Sequence, residues 1–411
     1  MSRGHALFLS YDGLTDPLGG SQIIPYLKGL KDCGYRISVI SCDKPDRFAQ
    51  YGEALAAELL EAGLNWISVP YTKSPPILST IKDVRALRTA AQGLLESEDP
   101  PQIIHARSYI AGLVASGLKH RYSFRFLFDI RGFWVDERVE GRIWNLSNPA
   151  FRLVYTYFRR AEKGMFRSAD HVISLTSNGA DAIRDFSWLK EPPVTVIPCC
   201  VDMEHFDRSR LNEASRKSRR KALGLDGEGV LTYLGSIGTW YMLDEMLDYF
   251  KEHLKVFPRS QFLFITPDSP EHLRAAAAAK GIDAELIKVI SATRNEVPEL
   301  LSLADFSIFF IRPTFSKRAS SPTKMGEIMA MGIPIIANSG VGDVDGLMKK
   351  WNCGVLCEQF EAADYYQAAQ QLQEIRFNAD EIRVQAGNFY ALSRGVSLYD
   401  DVYQTLLANN S

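Results

Sequence analysis

Several things a chain of 411 residues often carries are scarce here, and each shortage closes off a class of function. No apolar run reaches the length of a membrane span. The six cysteines make no usual zinc spacing: Cys199 and Cys200 are adjacent, and Cys353 and Cys357 stand three residues apart. With no cysteine or histidine ligand set, reduced core thiols are the expectation and no metal is expected. Neither sign of charge is in excess. Forty-seven basic and 49 acidic residues leave a net charge of −2, which argues against nucleic acid as a partner. The opening "MSRGHALFLSYDG" reaches a strand and Asp12 too early for a signal peptide, so the cytoplasm is the expected compartment. Internal repeats and low-complexity stretches are also missing.

What the chain has is alternation. Short apolar runs at 6–10, 37–41, 66–70, 102–106, 124–128, 171–175 and 194–198 read as strands, each followed by a helical pattern. The same rhythm resumes at 230–234, 261–266, 287–290, 306–310 and 333–337. Such alternation predicts an α/β protein with two doubly wound, Rossmann-like parallel-sheet domains. The boundary is placed at "VIPCCVDMEHF": 1–199, then 200–388, with a tail helix at 389–411. The basic stretch with Arg216, Lys217, Arg219, Arg220 and Lys221 is expected to be a solvated surface.

In open α/β sheets ligands sit beyond the carboxyl ends of strands. Residues out of place for packing fall there: Gly19 and Gly20, Arg107, then Asp129, Arg131, Gly132, Asp136 and Glu137, and later Gly235, Gly238 and Arg312. Gly19–Gly20 reads equally well as a plain tight turn, and Asp129 with Arg131 as a structural ion pair. Asp343-Val-Asp345 is too common a triplet to carry a metal.

The stretch "SSPTKMGEIMAMGIPII", residues 320–336, is more telling. Pro322 suits a first helical position and Ser321 a cap. Lys324 then sets a cation at the positive end of the helix dipole, where an anion is favoured. Met325, Ile328 and Met329 share the core face, while Thr323 and Glu327 share the other. Between Arg312 and Lys324 there are four basic residues and no acid. A diphosphate fits: N–H groups and Lys324 meet its charge, and Glu327 accepts from ribose hydroxyls. The plainer alternative is a solvated Lys324 and a Glu327 paired with an arginine.

"SSPTKMGEIMAMGIPIIANSG" resembles the donor-binding signature of retaining GT-B glycosyltransferases of family 4. "VIPCCVDMEHF" resembles that family's inter-domain hinge, and "ADHVISLTSNGADAI" and "VPELLSLADFSIFF" are similar to further family stretches. "FDIRGFWVDERVEGRIW" and "YLGSIGTWYMLDEML" look like a bacterial subgroup. The resemblance implies a GT-B architecture. An N-terminal domain takes a glycan or lipid-linked acceptor, a C-terminal domain takes a nucleotide-sugar, and the last helix crosses back. It implies no cofactor beyond the donor, a UDP- or GDP-sugar. Glu327 falls on the ribose, and Ser320, Ser321, Thr323 and Lys324 on the diphosphate. Gly19 and Gly20 fall near diphosphate or sugar, and Gly235 and Gly238 on the donor loop.

Three departures stand out. The first glutamate of the family's Glu-x7-Glu pair is Ala319. The Arg and Lys that follow the glycine loop are missing from "GTWYMLDEML". The family histidine after the fifth strand falls near Arg131. Neutralising the diphosphate is thereby left to Lys324, supported by Arg312, Lys317 or Arg318. The expected function is metal-independent sugar transfer with retention, with Asp129 and Arg131 positioning acceptor or donor sugar. The alternatives are a GT-B epimerase or phosphorylase and a catalytically silent sugar-nucleotide binder. The stretch at 148–167, with apolar 151, 154, 155 and 158 among five basic residues, is expected to pack on its own sheet. Peripheral membrane contact is the alternative.

Overall fold

The computed structural model describes residues 3–75, 77–190, 193–225 and 227–408. They form two compact units, Met1–Pro198 with Leu392–Ser411, and Cys199–Ala391.

The first unit holds β1 (His5–Ser10), β2 (Arg36–Asp43), β3 (Asn65–Pro70), β4 (Ile103–Arg107), β5 (Arg125–Asp129), β6 (His171–Ser174) and β7 (Val194–Val196). They lie in the order β3-β2-β1-β4-β5-β6-β7, every pair parallel. β1 is buried along its whole length, because helices cover both faces of a parallel sheet. The register sets Ser10 beside Arg107 and Arg107 beside Asp129. Three strand ends thus finish level at the point where the strand order reverses.

The second unit holds β8 (Leu231–Leu234), β9 (Phe262–Ile265), β10 (Ile287–Ile290), β11 (Phe306–Phe309), β12 (Ile335–Asn338) and β13 (Gly354–Cys357). The order is β10-β9-β8-β11-β12-β13, again all parallel. Here the order reverses between β8 and β11. Two Rossmann-like units with parallel sheets agree with the α/β expectation. β13 was not expected. It is four residues long and starts on a glycine, which leaves an apolar run of only three residues, 355–357. Pairing with β12 makes it a strand.

The basic stretch corrects a second expectation. Arg220 is not a solvated residue: its guanidinium donates to the backbone oxygens of Leu225, Leu303 and Gly227 and pairs with Asp305 at 3.1 Å. Arg216 likewise turns inward and is 16% exposed. Of the apolar positions read on the Pro149–Ser168 helix, 158 is buried and 151, 154 and 155 are half-buried; Met165 and Phe166, not read from the sequence, are buried as well.

Two helices close the chain. Ala379–Tyr390 packs on the Thr323–Ala330 helix, where a Cβ on Gly326 would come within 3.3 Å of the Tyr390 ring. Leu392–Ala408 belongs to the first unit and lies on the Ile24–Asp32 helix. Gly29 makes this approach close, since a Cβ there would sit 2.5 Å from a Val396 methyl.

Candidate functional site

In the second unit the loop after β8 is built first. Gly235 turns it with φ +97°, a conformation glycine adopts without steric cost. Tyr233 Oη then donates to Ser236 O at 2.7 Å, and Ile237 N donates to Asp268 Oδ2 at 2.7 Å. Farther on, Arg312 N donates to Trp240 O and Met242 N to Phe310 O, both at 3.0 Å. These bonds pin residues 240–242 against the end of β11, so their rings face the segment that follows it.

That segment makes a short 3-10 turn, Phe315–Ala319, then the Thr323–Ala330 helix. Pro322 occupies the N-cap position and no side chain caps the helix. Ser321 is not the cap its place in the sequence suggests: its Oγ accepts from Cys199 N at 3.2 Å. The first-turn N–H groups are therefore left without a side-chain acceptor. Met325, Ile328 and Met329 are buried, as the core stripe requires.

Lys324 is neither solvated nor ion-paired. It is 7% exposed, and among the described residues its Nζ has no hydrogen-bond partner. The amine sits 3.6 Å from the Tyr241 ring centre and 4.0 Å from that of Tyr233. Lys317 Nζ sits 3.8 Å over the Trp240 ring. Such desolvated contacts are worth about 2 kcal/mol each, less than the several kcal/mol lost by removing an ion from water. Burial accordingly pushes the Lys324 amine well below the usual lysine range, with Glu327 pulling the other way. Burial also raises the Glu327 carboxyl, against the pull of Arg294 and Lys324. Arg294 Nη1 lies 3.6 Å from Glu327 Oε1.

The remaining second-unit candidates surround this amine unevenly. A Cβ on Gly235 would stand 3.6 Å from Lys324 Nζ, while one on Gly238 (φ +53°) would meet nothing within 4 Å. Ser320 and Thr323 are half-buried and Arg312 is exposed. Ala319 is fully enclosed. The arrangement can take a compact polyanion: an amine with its hydrogen-bond donors unspent, an uncapped helix start and a carboxylate one turn deeper.

In the first unit, Asp129 is a hub rather than an open acid. It is 1% exposed, accepts from Tyr399 Oη at 3.0 Å, and faces Arg131 at 3.6 Å and His105 Nε2 at 3.5 Å. Burial works to raise its carboxyl, but Arg131, His105 and Arg107 outweigh it and hold it at about 2. His105 is pushed down by burial, opposed by Asp129, and its Nδ1 meets Tyr403 Oη at 3.0 Å. With Gln22, Arg107 and Tyr399, His105 and Asp129 line a cavity of about 10 Å³, the room one water needs. Arg131 stands at the edge with φ +56°, and Ser108 after β4 has φ +66°. Non-glycine residues held there carry strain of about 1–3 kcal/mol each and gather at functional sites.

The two N-terminal glycines divide. A Cβ on Gly19 would come within 2.4 Å of Leu14 O, so this glycine permits a close backbone approach. Gly20 is exposed and would meet nothing.

Sequence reasoning missed Tyr233, Trp240, Tyr241 and Arg294 in the second unit, and His105 and Tyr399 in the first. The signal for Trp240 and Tyr241 was the cation-free "GTWY" itself, while Tyr233 lies within the β8 run.

Comparisons with known proteins agree with this fold. A family model described as a Glycosyl transferase 4-like domain matches residues 25–200, and one described as Glycosyl transferases group 1 matches residues 228–374. No individual curated protein matches the chain. Among solved structures, sucrose-phosphate synthase (tll1590) from Thermosynechococcus elongatus is similar with a TM-score of 0.74 at 15% identity, covering 99% of this chain and 100% of that one. Anabaena Alr3699/HepE in complex with UDP-glucose gives a TM-score of 0.70 at 16% identity, with coverage of 99% and 100%. A glycosyltransferase from Rickettsia africae ESF-5 gives 0.70 at 15%, with the same coverage. At these identities the likeness is one of fold.

Proposed function

The chain belongs to the family-4-like GT-B glycosyltransferases, and on that premise we propose that it moves a hexosyl group, with retention, from a nucleotide-diphosphate sugar to a glycan or lipid-linked acceptor. The observation that carries this reading is the buried Lys324 amine with no hydrogen-bond acceptor beside an uncapped helix start. As the glycosidic bond opens, negative charge grows on the departing diphosphate, and preorganised cations and N–H dipoles stabilise it most. Lys324 and the first turn at Thr323 supply these without a metal ion. Lys317 and Arg312 lie on the same segment, and Glu327 accepts from the ribose.

Retention follows from attack on the face the diphosphate leaves. Arg131 positions the acceptor or the sugar, and Asp129 acts through Arg131, whose charge it holds in place. UDP-sugars lead the candidate donors because Anabaena Alr3699/HepE was solved with UDP-glucose. The outward face of the Pro149–Ser168 helix exposes Arg152, Leu153, Tyr157, Arg160, Lys163 and Arg167. That face suits peripheral contact with anionic headgroups on the cytoplasmic side of a membrane. Among the described residues no helix is long and apolar enough to cross one.

A second reading rests on Ala319, enclosed where the family has a glutamate: a silent sugar-nucleotide binder. A GT-B epimerase or phosphorylase is a third. The deciding experiment is metal-free thermal stabilisation across UDP- and GDP-sugars, followed by product analysis with glycan and lipid-linked acceptors. Acceptor-dependent release of nucleoside diphosphate supports transfer. Donor binding without turnover points to the silent binder, and conversion without an acceptor to the epimerase. Silence across the panel overturns the donor site.

A further inference from the structure

Two lysines of the donor unit rest on rings supplied by neighbouring residues, Lys317 on Trp240 and Lys324 on Tyr241, with Tyr233 closing the second contact. We infer that Tyr233 and Tyr241 are positioning residues for the donor, forming an aromatic cage that holds the Lys324 amine with its hydrogen-bond donors unspent, and that a diphosphate enters with uptake of one proton at that amine. The inference rests on the donor-site reading above.

A ring face attracts a cation through its quadrupole but accepts no strong hydrogen bond. A carboxylate in the same place would hold the amine and then compete with the incoming phosphate. Among the described residues the acid that acts on this amine, Glu327 on the same helix, is shared with Arg294 at 3.6 Å. The other facing groups are neutral phenols. Tyr233 spends its hydroxyl on Ser236 O and feels Tyr241 and Asp268. Tyr241 feels Cys199 and Glu327, and burial raises both phenols. Gly235 leaves the approach open, its would-be Cβ standing 3.6 Å from Nζ.

Burial in this cage favours the neutral amine while the site is empty, and a diphosphate favours the ammonium. The balance is simple: the amine and one solvent proton become the ammonium, and no bond other than N–H forms. Affinity for the diphosphate therefore falls as pH rises from the depressed pKa of the empty site towards the higher pKa of the complex.

Two measurements on the full chain test this. In the free protein, Lys324→Met is expected to be more stable than the parent, with a melting-temperature gap that widens as pH falls from the usual lysine pKa of about 10.4 towards the depressed value. A parent as stable as the variant, or more so, overturns the cage. Isothermal calorimetry of UDP binding in PIPES and in Tris then counts protons. Net proton uptake is expected in the parent and in Tyr241→Phe. In Tyr241→Leu, where water reaches the amine, uptake is expected to vanish while UDP still binds. Binding without uptake in the parent, or uptake retained in Tyr241→Leu or Lys324→Ala, overturns the inference. A stability gap of the expected sign with no UDP or GDP binding leaves the cage standing and overturns the donor reading instead.

Discussion

Lys324 Nζ lies 3.6 Å from the centre of the Tyr241 ring, although the two residues stand 83 positions apart in the chain and no hydrogen bond joins them. The backbone makes this contact. Residues 240–242 are fastened to the end of β11, and the Thr323–Ala330 helix starts from the segment that follows that strand.

Replacing Lys324 by alanine is therefore expected to weaken UDP binding by about tenfold to a hundredfold, the worth of a charge-assisted hydrogen bond, and to leave uridine binding unchanged. Calorimetry on the two ligands checks it. Equal losses for both would remove the phosphate role.

Glu327→Gln keeps the shape of the side chain and removes the charge that Arg294 faces. Weaker binding of UDP, with little change for 2′-deoxy-UDP and an unchanged melting temperature, is the expected pattern. A fall in stability at constant affinity would show that the carboxylate serves only the ion pair.

Asp129 has its folded-state pKa near 2, below the unfolded value of 3.8. The sign follows: its stabilisation is present above the unfolded pKa and is lost as pH falls through about 2. Asp129→Asn should cost about 2 kcal/mol at neutral pH, the equivalent of that shift. Urea titrations at a series of pH values should show the gap between variant and parent closing between about pH 4 and pH 2. A gap that stays constant would mean that packing, not charge, is what the substitution disturbs.

Gly19→Ala and Gly20→Ala form a paired test. The first sets a methyl 2.4 Å from Leu14 O, against backbone, so the short helix after β1 must shift and stability should fall by more than 1 kcal/mol, about the cost of overpacking. The second meets nothing and should be neutral or slightly stabilising. Melting temperatures of the two variants suffice, and equal losses would contradict the close approach at Leu14.

Much of this molecule could be read from its sequence, and the reasons for the rest are physical. Twelve strands appear in the sequence as short runs rich in apolar and β-branched residues between helical patterns. β13 does not, because Gly354-Val355-Leu356-Cys357 opens on a glycine and holds a single β-branched residue. Lys324 was visible as a cation at the wrong end of a helix dipole. Its cage was not, since ring and amine are brought together by sheet topology and by no spacing. Ser321 has a capping residue's identity and place, yet a tertiary acceptor role at Cys199 N overrides the local preference. Arg220 reads as a surface charge until Asp305 and three backbone oxygens claim it.

The Leu392–Ala408 helix has a consequence for how the chain is made. It carries Tyr399 and Tyr403 to Asp129 and His105, so the interior of the first unit is finished by residues that a ribosome adds after the whole of the second. The 193 residues of Cys199–Ala391 intervene, which at about 5–20 residues per second means about 10–40 s of synthesis. For that interval the nascent first unit holds a charged carboxylate and an imidazole without their phenol partners, at the level ends of its central strands. The second unit is one continuous stretch, all of it made before the Leu392–Ala408 helix.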